Sequence, residues 1–179
     1  KFVSGQPETG ADLADDLERI ATNFGPENIA ACIVEPIAGS TGTLVPPKGY
    51  LQKLRETCDK HGILLIFDEV ITGWGRTGSA FASHEFGVTP DIMTMAKATT
   101  NGVVPMGVVA CKDEIYDAVM DASPMGSVEL FHGYTYSGIP VAVAAALAVQ
   151  DIFEKEDIFE RAKNLAPYFQ KGLFSLQDL

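Results

Sequence analysis

The sequence predicts an α/β fold in which a mostly parallel sheet is flanked by helices on both faces. Short apolar runs recur along the chain, and such near-continuous runs are typical of strands buried on both faces. Segments with helical periodicity separate these runs, which favours parallel strands joined by crossover helices. The chain has 179 residues, 46% of them hydrophobic, which is enough for the core of one domain.

The first half of the chain contains two predicted helices and two predicted strands. Apolar residues at helical spacing predict a helix over residues 13–24, which Gly25-Pro26 ends. The apolar run 30–34 predicts a strand, and the glycines and prolines after it indicate a loop. A second helix is predicted over 49–60, followed by a continuous apolar strand at 63–67.

The second half continues this alternation of strands and helices. The predicted elements, in chain order, are a glycine-rich loop at 73–78, a short helix at 80–86, strands at 92–96 and 106–111, and helices at 115–120, 141–153 and 158–173. The last of these helices is amphipathic.

Composition excludes several classes of partner. The net charge is −11, with 13 basic and 24 acidic side chains, which argues against binding to nucleic acid or to anionic membranes. The apolar runs are shorter than the ~20 residues that cross a bilayer. Cys32, Cys58 and Cys111 are odd in number and separated in sequence, so we expect reduced thiols, no metal site and a cytoplasmic protein.

Two opposite charges, Asp68 and Lys97, lie where predicted strands end. Ligands of open α/β sheets bind at the carboxyl ends of strands, and a carboxylate beside five apolar residues needs a cationic partner. We expect Lys97 to be buried there and therefore nucleophilic towards an aldehyde. Pyridoxal phosphate chemistry matches this pair, because a lysine forms its Schiff base and an aspartate pairs with its pyridine nitrogen.

Simpler interpretations of the two residues stay open. An aspartate after a strand commonly caps the following turn, and most lysines are solvated surface residues. Asn101-Gly102 predicts a sharp turn close to Lys97. Glu69 is expected to be solvated or paired with Arg76, without a catalytic role.

The glycine-rich loop supports a rival hypothesis. Gly73, Gly75 and Gly78 fit the dinucleotide fingerprint of an NAD-dependent dehydrogenase, and they follow a strand. However, five residues separate the strand from the glycines, and Gly87 and Pro90 cut the next helix short. We therefore expect the glycines to shape a loop of the active site.

A second loop, residues 133–138, precedes the alanine-rich helix. Hydroxyls at a helix start can hold a phosphate together with the backbone N–H groups. An ordinary N-cap explains Ser137 equally well, and His132 is interpreted as a structural histidine.

Taken in order, the motifs between about residues 30 and 150 resemble the class III aminotransferases of pyridoxal-phosphate fold type I. The sequences of these motifs are most similar to those of the branch that uses ω-amino acids and pyruvate. The segments that carry the resemblance are EPIAGSTGTLVPPKGYL, LLIFDEVITGWGRTG with its Asp-Glu-Val, Pro90-Asp91, Lys97, TNGVVPMG and HGYTYSG.

The resemblance implies a pyridoxal-phosphate-dependent transaminase that moves an amino group from an ω-amino acid or amine, such as β-alanine, to pyruvate. Lys97 would form the Schiff base and Asp68 would pair with the pyridine nitrogen. Val70 would pack under the ring, and Glu35 would lie near Asp68. Thr135 would reach the phosphate bound by a neighbouring subunit, so a homodimer would be the smallest active unit, alone or within a tetramer.

Two positions distinguish this chain from the ornithine and γ-aminobutyrate branch of the family. Ile71 replaces a glutamine and Ser40 replaces a glutamate that pairs with a mobile arginine, which favours pyruvate over α-ketoglutarate as acceptor. The family is also longer than this chain. Residues 1–153 would form part of the cofactor-binding large domain, and residues 154–179 a helix leading towards a small domain. The alternative is a non-catalytic fragment of such an enzyme.

Overall fold

A four-stranded sheet forms the centre of the computed structural model, which describes residues 5–125, 130 and 132–178. The strands are β1 (Ala31–Val34), β2 (Leu64–Asp68), β3 (Ile92–Met95) and β4 (Val108–Cys111), and they lie in the order β1-β2-β3-β4. The first three are parallel, which confirms the prediction of a mostly parallel sheet.

The last strand differs from its neighbours, because β4 runs antiparallel to β3. A parallel neighbour needs a crossover, usually through an α-helix, whereas the connection from β3 to β4 contains only the 3-10 turn Lys97–Thr99. The chain therefore returns alongside β3 in the opposite direction.

Six α-helices accompany the sheet within the described part of the chain. Each lies within a few residues of a predicted helix, and none is long and apolar enough to span a lipid bilayer. They are α1 (Asp15–Phe24), α2 (Tyr50–His61), α3 (Ala82–Phe86), α4 (Asp113–Ala122), α5 (Pro140–Lys155) and α6 (Ile158–Phe174). Three further 3-10 turns lie at Ala11–Ala14, Pro26–Asn28 and Ser175–Asp178.

The hydrophobic core lies between one face of the sheet and the helices α1 and α2. Side chains alternate between the two faces of a strand, and Leu65 and Phe67 of β2 point into this core with no exposed surface. The other fully enclosed members include Ala21 of α1, Leu51, Leu54 and Cys58 of α2, and Ile63. The three cysteines are free thiols, as predicted.

Helices flank the sheet as predicted, but its opposite face is uncovered over much of its area in the described chain. Strand pairing places Ile33, Ile66 and Ile92 side by side on this surface, which we call the open face. Ile33 is 63% exposed and Val109 is 69% exposed. The apolar runs indicated that both faces need cover, but they could not indicate which segment supplies it.

The predicted boundary at residues 153 and 154 falls inside α5, and it stays a prediction. The rings of Phe153 and Phe159 lie 5.6 Å apart across it, so α5 and α6 contact each other at their junction. The apolar side chains of α6 are nevertheless exposed, including Leu165, Tyr168, Phe169 and Leu173.

Candidate active site

Asp68 is the last residue of β2, at the carboxyl end of the open face. Its Oδ1 accepts a hydrogen bond from the Val70 backbone N–H at 3.0 Å, so it caps the turn after the strand. No described residue donates a hydrogen bond to its other carboxylate oxygen. Asp68 thus has the turn-capping role and still retains a free acceptor for a cationic ligand.

Lys97 follows β3 and begins a 3-10 turn with a left-handed backbone, at a φ of +47°. The prediction that it is buried is wrong for this chain: its side chain is exposed, and no ion pair within the described residues involves it. The expected sharp turn is present, because Asn101 and Gly102 both have positive φ and the Gly102 N–H donates to the Lys97 carbonyl at 3.0 Å.

The sheet brings Asp68 and Lys97 to the same edge. Asp68 pairs with Thr94 of the neighbouring parallel strand, and the Glu69 N–H extends this ladder to the Thr94 carbonyl at 2.9 Å. Lys97 follows three residues later. Asp68 and Lys97, which forms no ion pair within the described residues, therefore lie at the carboxyl ends of the adjacent strands β2 and β3.

Glu69 is neither solvated nor paired with Arg76, contrary to expectation. It is fully buried, and its carboxylate accepts hydrogen bonds from the Thr72 hydroxyl at 2.9 Å and from the Ala82 and Ser83 backbone N–H groups at 2.7 and 2.8 Å. The side chain thus caps the amino end of α3, where a negative charge is stabilising. Arg76 instead donates to the Ile71 carbonyl at 2.6 Å.

The glycines of the loop 73–78 are explained by close packing. A Cβ on Gly73 would lie 2.8 Å from the Glu69 carbonyl, one on Gly75 would lie 2.5 Å from the Phe159 ring, and one on Gly78 would lie 2.7 Å from the Lys163 side chain. The helix after the loop has five residues, and the carboxylate of Glu69 occupies its amino end. A pyrophosphate would need that position, so the geometry excludes the dehydrogenase hypothesis.

Two residues that sequence reasoning missed connect this loop to the turn of Lys97. The indole N–H of Trp74 donates to the Thr99 hydroxyl at 2.9 Å, and that hydroxyl donates to the Ala96 carbonyl at 3.1 Å. Trp74 and Thr99 are 25 residues apart, so neither periodicity nor local motif could reveal the contact.

Glu35 and Val70 lie at the same edge of the sheet as Asp68. Glu35 directly follows β1, and its Oε2 accepts a hydrogen bond from the Gly39 N–H at 2.9 Å. A Cβ on Gly39 would lie 2.6 Å from Ile71, so the loop after β1 packs against the segment that follows Asp68. The cofactor roles given to Glu35 and Val70 stay predictions.

Thr135 is exposed in a turn at residues 135–138, and its predicted contact with the site of a neighbouring subunit stays a prediction. The cap of α5 is Ile139 with Pro140 in the first turn, so the interpretation of Ser137 as its N-cap is wrong. The Ser137 N–H closes the preceding turn by donating to the Tyr134 carbonyl at 3.0 Å.

The amino edge of the sheet contains a different arrangement around Asp91. This aspartate is 7% exposed and precedes β3. Its Oδ2 accepts hydrogen bonds from the Leu65 N–H at 2.7 Å and from Arg55 at 2.8 Å, and its Oδ1 pairs with Lys112 at 2.7 Å. Burial acts to raise the pKa of Asp91, but the bonds from Lys112, Leu65 and Arg55 together hold that pKa below its usual range.

Comparison with known proteins fits this geometry. Residues 4–179 match the family described as aminotransferase class III. The chain belongs to the class III aminotransferases. No cluster of three or more metal-ligating side chains occurs within the described residues.

Named relatives narrow the branch of the family. The chain is 59% identical to an omega-aminotransferase of Caulobacter vibrioides and 53% identical to a beta-alanine–pyruvate aminotransferase of Pseudomonas aeruginosa, in each case over 98% of this chain. It spans about 40% of the length of both relatives.

Solved structures give the same result for the fold. An (S)-enantioselective omega-transaminase from Thermomicrobium roseum is 44% identical with a TM-score of 0.88, and it matches 94% of this chain over 37% of its own. An amine transaminase from an uncultivated Pseudomonas species, in its pyridoxal-phosphate-bound form, is 43% identical with a TM-score of 0.87, over 94% of this chain and 38% of its own. The chain therefore has the mixed α/β architecture of fold type I transaminases.

Proposed function

We propose that the protein containing this chain is a pyridoxal-phosphate-dependent transaminase that moves an amino group from an ω-amino acid or amine, such as β-alanine, to pyruvate. The observation that carries the proposal is that Asp68 and Lys97 lie at the same edge of the sheet, the first with a carboxylate oxygen that accepts no hydrogen bond and the second with an amine that forms no ion pair within the described residues. The names of the relatives with the highest identities given above support the same activity.

The residues present fit this cofactor. The Val70 N–H fixes one oxygen of Asp68 and leaves the other to accept a hydrogen bond from a protonated pyridine nitrogen. Lys97 is exposed at the same edge, so its amine is accessible to an aldehyde. Val70 lies two residues after Asp68, and we expect it to contact the ring.

When bound, pyridoxal phosphate supplies an aldehyde that accepts amines and a ring that withdraws electrons. Lys97 Nζ would hold the cofactor covalently until the substrate amine displaces it. The released Nζ would then take a proton from the substrate carbon that bears the amine and return it to the cofactor carbon, acting as base and then as acid. Asp68 would hold the positive charge of the pyridine nitrogen in place.

Two further features of the proposal concern the acceptor and the assembly. Ser40 lies exposed in the loop after β1, where the α-ketoglutarate-using branch has a glutamate, and this supports pyruvate as acceptor. We place Thr135 at the phosphate of a neighbouring subunit, which requires a homodimer or a tetramer of such dimers. A cytoplasmic location goes with this assignment.

A second candidate function is that the chain by itself is inert. Its open face and its exposed Lys97 favour this view for the 179 residues alone, because nothing in the described chain encloses the site.

Borohydride reduction of the full-length protein followed by peptide mapping tests the proposal. We expect the cofactor label on the peptide that contains Lys97. The variant Lys171→Arg, which changes an exposed lysine of α6, should retain the label, and Lys97→Arg should lose it. A label on any other lysine would overturn the assignment, and purified 179-residue chain that neither binds the cofactor nor dimerises would support the second candidate for the fragment alone.

A further inference from the structure

We propose that Trp74 and Thr99 are positioning residues that hold the turn of Lys97, so that the glycine-rich loop acts on the lysine. We call the hydrogen-bond chain from Trp74 through Thr99 to the Ala96 carbonyl the clasp. The inference rests on the proposed function only for its effect on catalysis.

The turn of Lys97 needs an external support. Lys97 has a φ of +47°, a conformation that an L-residue with a long side chain rarely adopts. Such strain persists only where the surroundings determine the backbone, and it concentrates at functional sites. Within the turn itself, the Thr99 N–H donates to the Ala96 carbonyl at 3.1 Å and the Gly102 N–H donates to the Lys97 carbonyl at 3.0 Å.

The clasp acts on the peptide group that determines this φ. The Ala96 carbonyl belongs to the peptide bond that joins Ala96 to Lys97. Because that peptide group is planar, holding its oxygen also holds the position of the Lys97 nitrogen, about whose bond to Cα the φ angle is measured. The Thr99 hydroxyl donates its single proton to that oxygen, and it can then accept the Trp74 N–H. Thr99 is 2% exposed, so water has little access to replace either partner.

Packing holds the indole at the other end of the clasp. The Trp74 ring lies 5.0 Å from the ring of Phe81 and 6.4 Å from that of Phe153 in α5. The Trp74 backbone is also left-handed, with a φ of +60°, and the next residue, Gly75, packs directly on Phe159 of α6. The loop therefore connects the α5–α6 junction to the lysine turn.

The loss of the clasp should change the orientation of Lys97 without removing its amine. In full-length protein, Thr99→Val replaces the hydroxyl by a methyl group of similar size, and Thr99→Ser restores it. We expect about tenfold lower kcat for Thr99→Val with little change in KM, since the interaction concerns the proton-transfer step more than substrate binding. The pH at which the visible absorption of the bound cofactor changes should also move, and Thr99→Ser should recover both properties.

Hydrogen exchange tests the clasp without any cofactor. In the cofactor-free full-length protein, the Thr99 and Gly102 amides should exchange several-fold faster in Thr99→Val and in Trp74→Phe than in the wild type. The matched control is Thr77→Val in the same loop, whose buried hydroxyl has no hydrogen-bond partner among the described residues, and it should leave exchange unchanged.

The outcomes separate this inference from the proposed function. Unchanged exchange in Thr99→Val and Trp74→Phe, or a Thr99→Ser variant as impaired as Thr99→Val, would overturn the clasp. A wild-type protein that carries no cofactor on Lys97 would overturn the proposed function, while the exchange measurement would still decide the clasp. Trp74→Phe removes only the hydrogen bond from the indole to the Thr99 hydroxyl, and it provides the test if Thr99→Val does not fold.

Discussion

Each of the two edges of the sheet has an aspartate at the end of a strand, and the two aspartates differ in how many partners their carboxylates have. At the amino edge, Asp91 receives three partners from its own chain and is almost completely buried. At the carboxyl edge, Asp68 accepts one backbone N–H, and its other carboxylate oxygen has no partner among the residues described. A carboxylate whose charge is neutralised by partners within the chain supports the fold, whereas a carboxylate that lacks such partners is available to bind a ligand.

The lysines repeat this contrast. Lys112 pairs with Asp91 at 2.7 Å, whereas Lys97 is exposed and held in a strained turn without an ion pair in the described chain. The comparison predicts that variants at the amino edge change stability and variants at the carboxyl edge change activity.

The largest effect should come from Lys97→Ala in the full-length protein. Removing the proton-transferring amine should lower kcat with β-alanine and pyruvate by about 10³-fold, measured as alanine formed. The melting temperature should hardly change, because Lys97 makes no ion pair with any residue that the structure describes. Lys112→Met should do the reverse and cost about 1–2 kcal/mol of stability at nearly normal kcat. A stability loss in Lys97→Ala equal to that in Lys112→Met would break the comparison.

The aspartates provide the next test. Asp68→Asn keeps an acceptor for the Val70 N–H but loses the charge, and we expect about 10²-fold lower kcat with a nearly normal urea midpoint. Asp91→Asn leaves the cations of Arg55 and Lys112 facing a neutral amide, and it should lower the free energy of unfolding by about 3 kcal/mol. Urea titration and steady-state kinetics on both variants would measure these effects. Equal kinetic losses in the two variants would contradict the assignment of roles.

The smallest effect concerns acid stability. The pKa of Asp91 is lower in the folded chain than in the unfolded chain, because the bonds from Lys112, Leu65 and Arg55 outweigh the effect of burial. The folded state therefore binds fewer protons, and this contribution to stability is complete above about pH 4 and is lost as the pH falls further. Urea midpoints between pH 3 and pH 6 should fall less steeply in Asp91→Asn than in the wild type. Parallel curves would exclude a role of Asp91 in acid unfolding.

Local signals in the sequence were sufficient for the order of the elements and for the central pair of the site. Apolar runs of strand length ended in Asp68 and before Lys97, and parallel pairing brought the two strand ends together. The α/β class followed from the same alternation.

Contacts over long separations could not be predicted. Glu69 finds its backbone partners 13 and 14 residues away, and Arg55 reaches Asp91 across 36 residues, so no local pattern indicates either contact. Two of the fingerprint-like glycines, Gly75 and Gly78, pack against Phe159 and Lys163 of α6, far along the chain. The exposure of Lys97 and of the open face depends on the packing of the whole described chain, which no local pattern indicates.

The position of β1 at one end of the sheet has a practical consequence for work on this segment. An edge strand presents unpaired backbone donors and acceptors, and Ile33 of this strand is 63% exposed. Such a surface templates pairing between identical molecules and favours inclusion bodies during recombinant production. Samples for crystallisation or spectroscopy should therefore be checked for association through this strand before use.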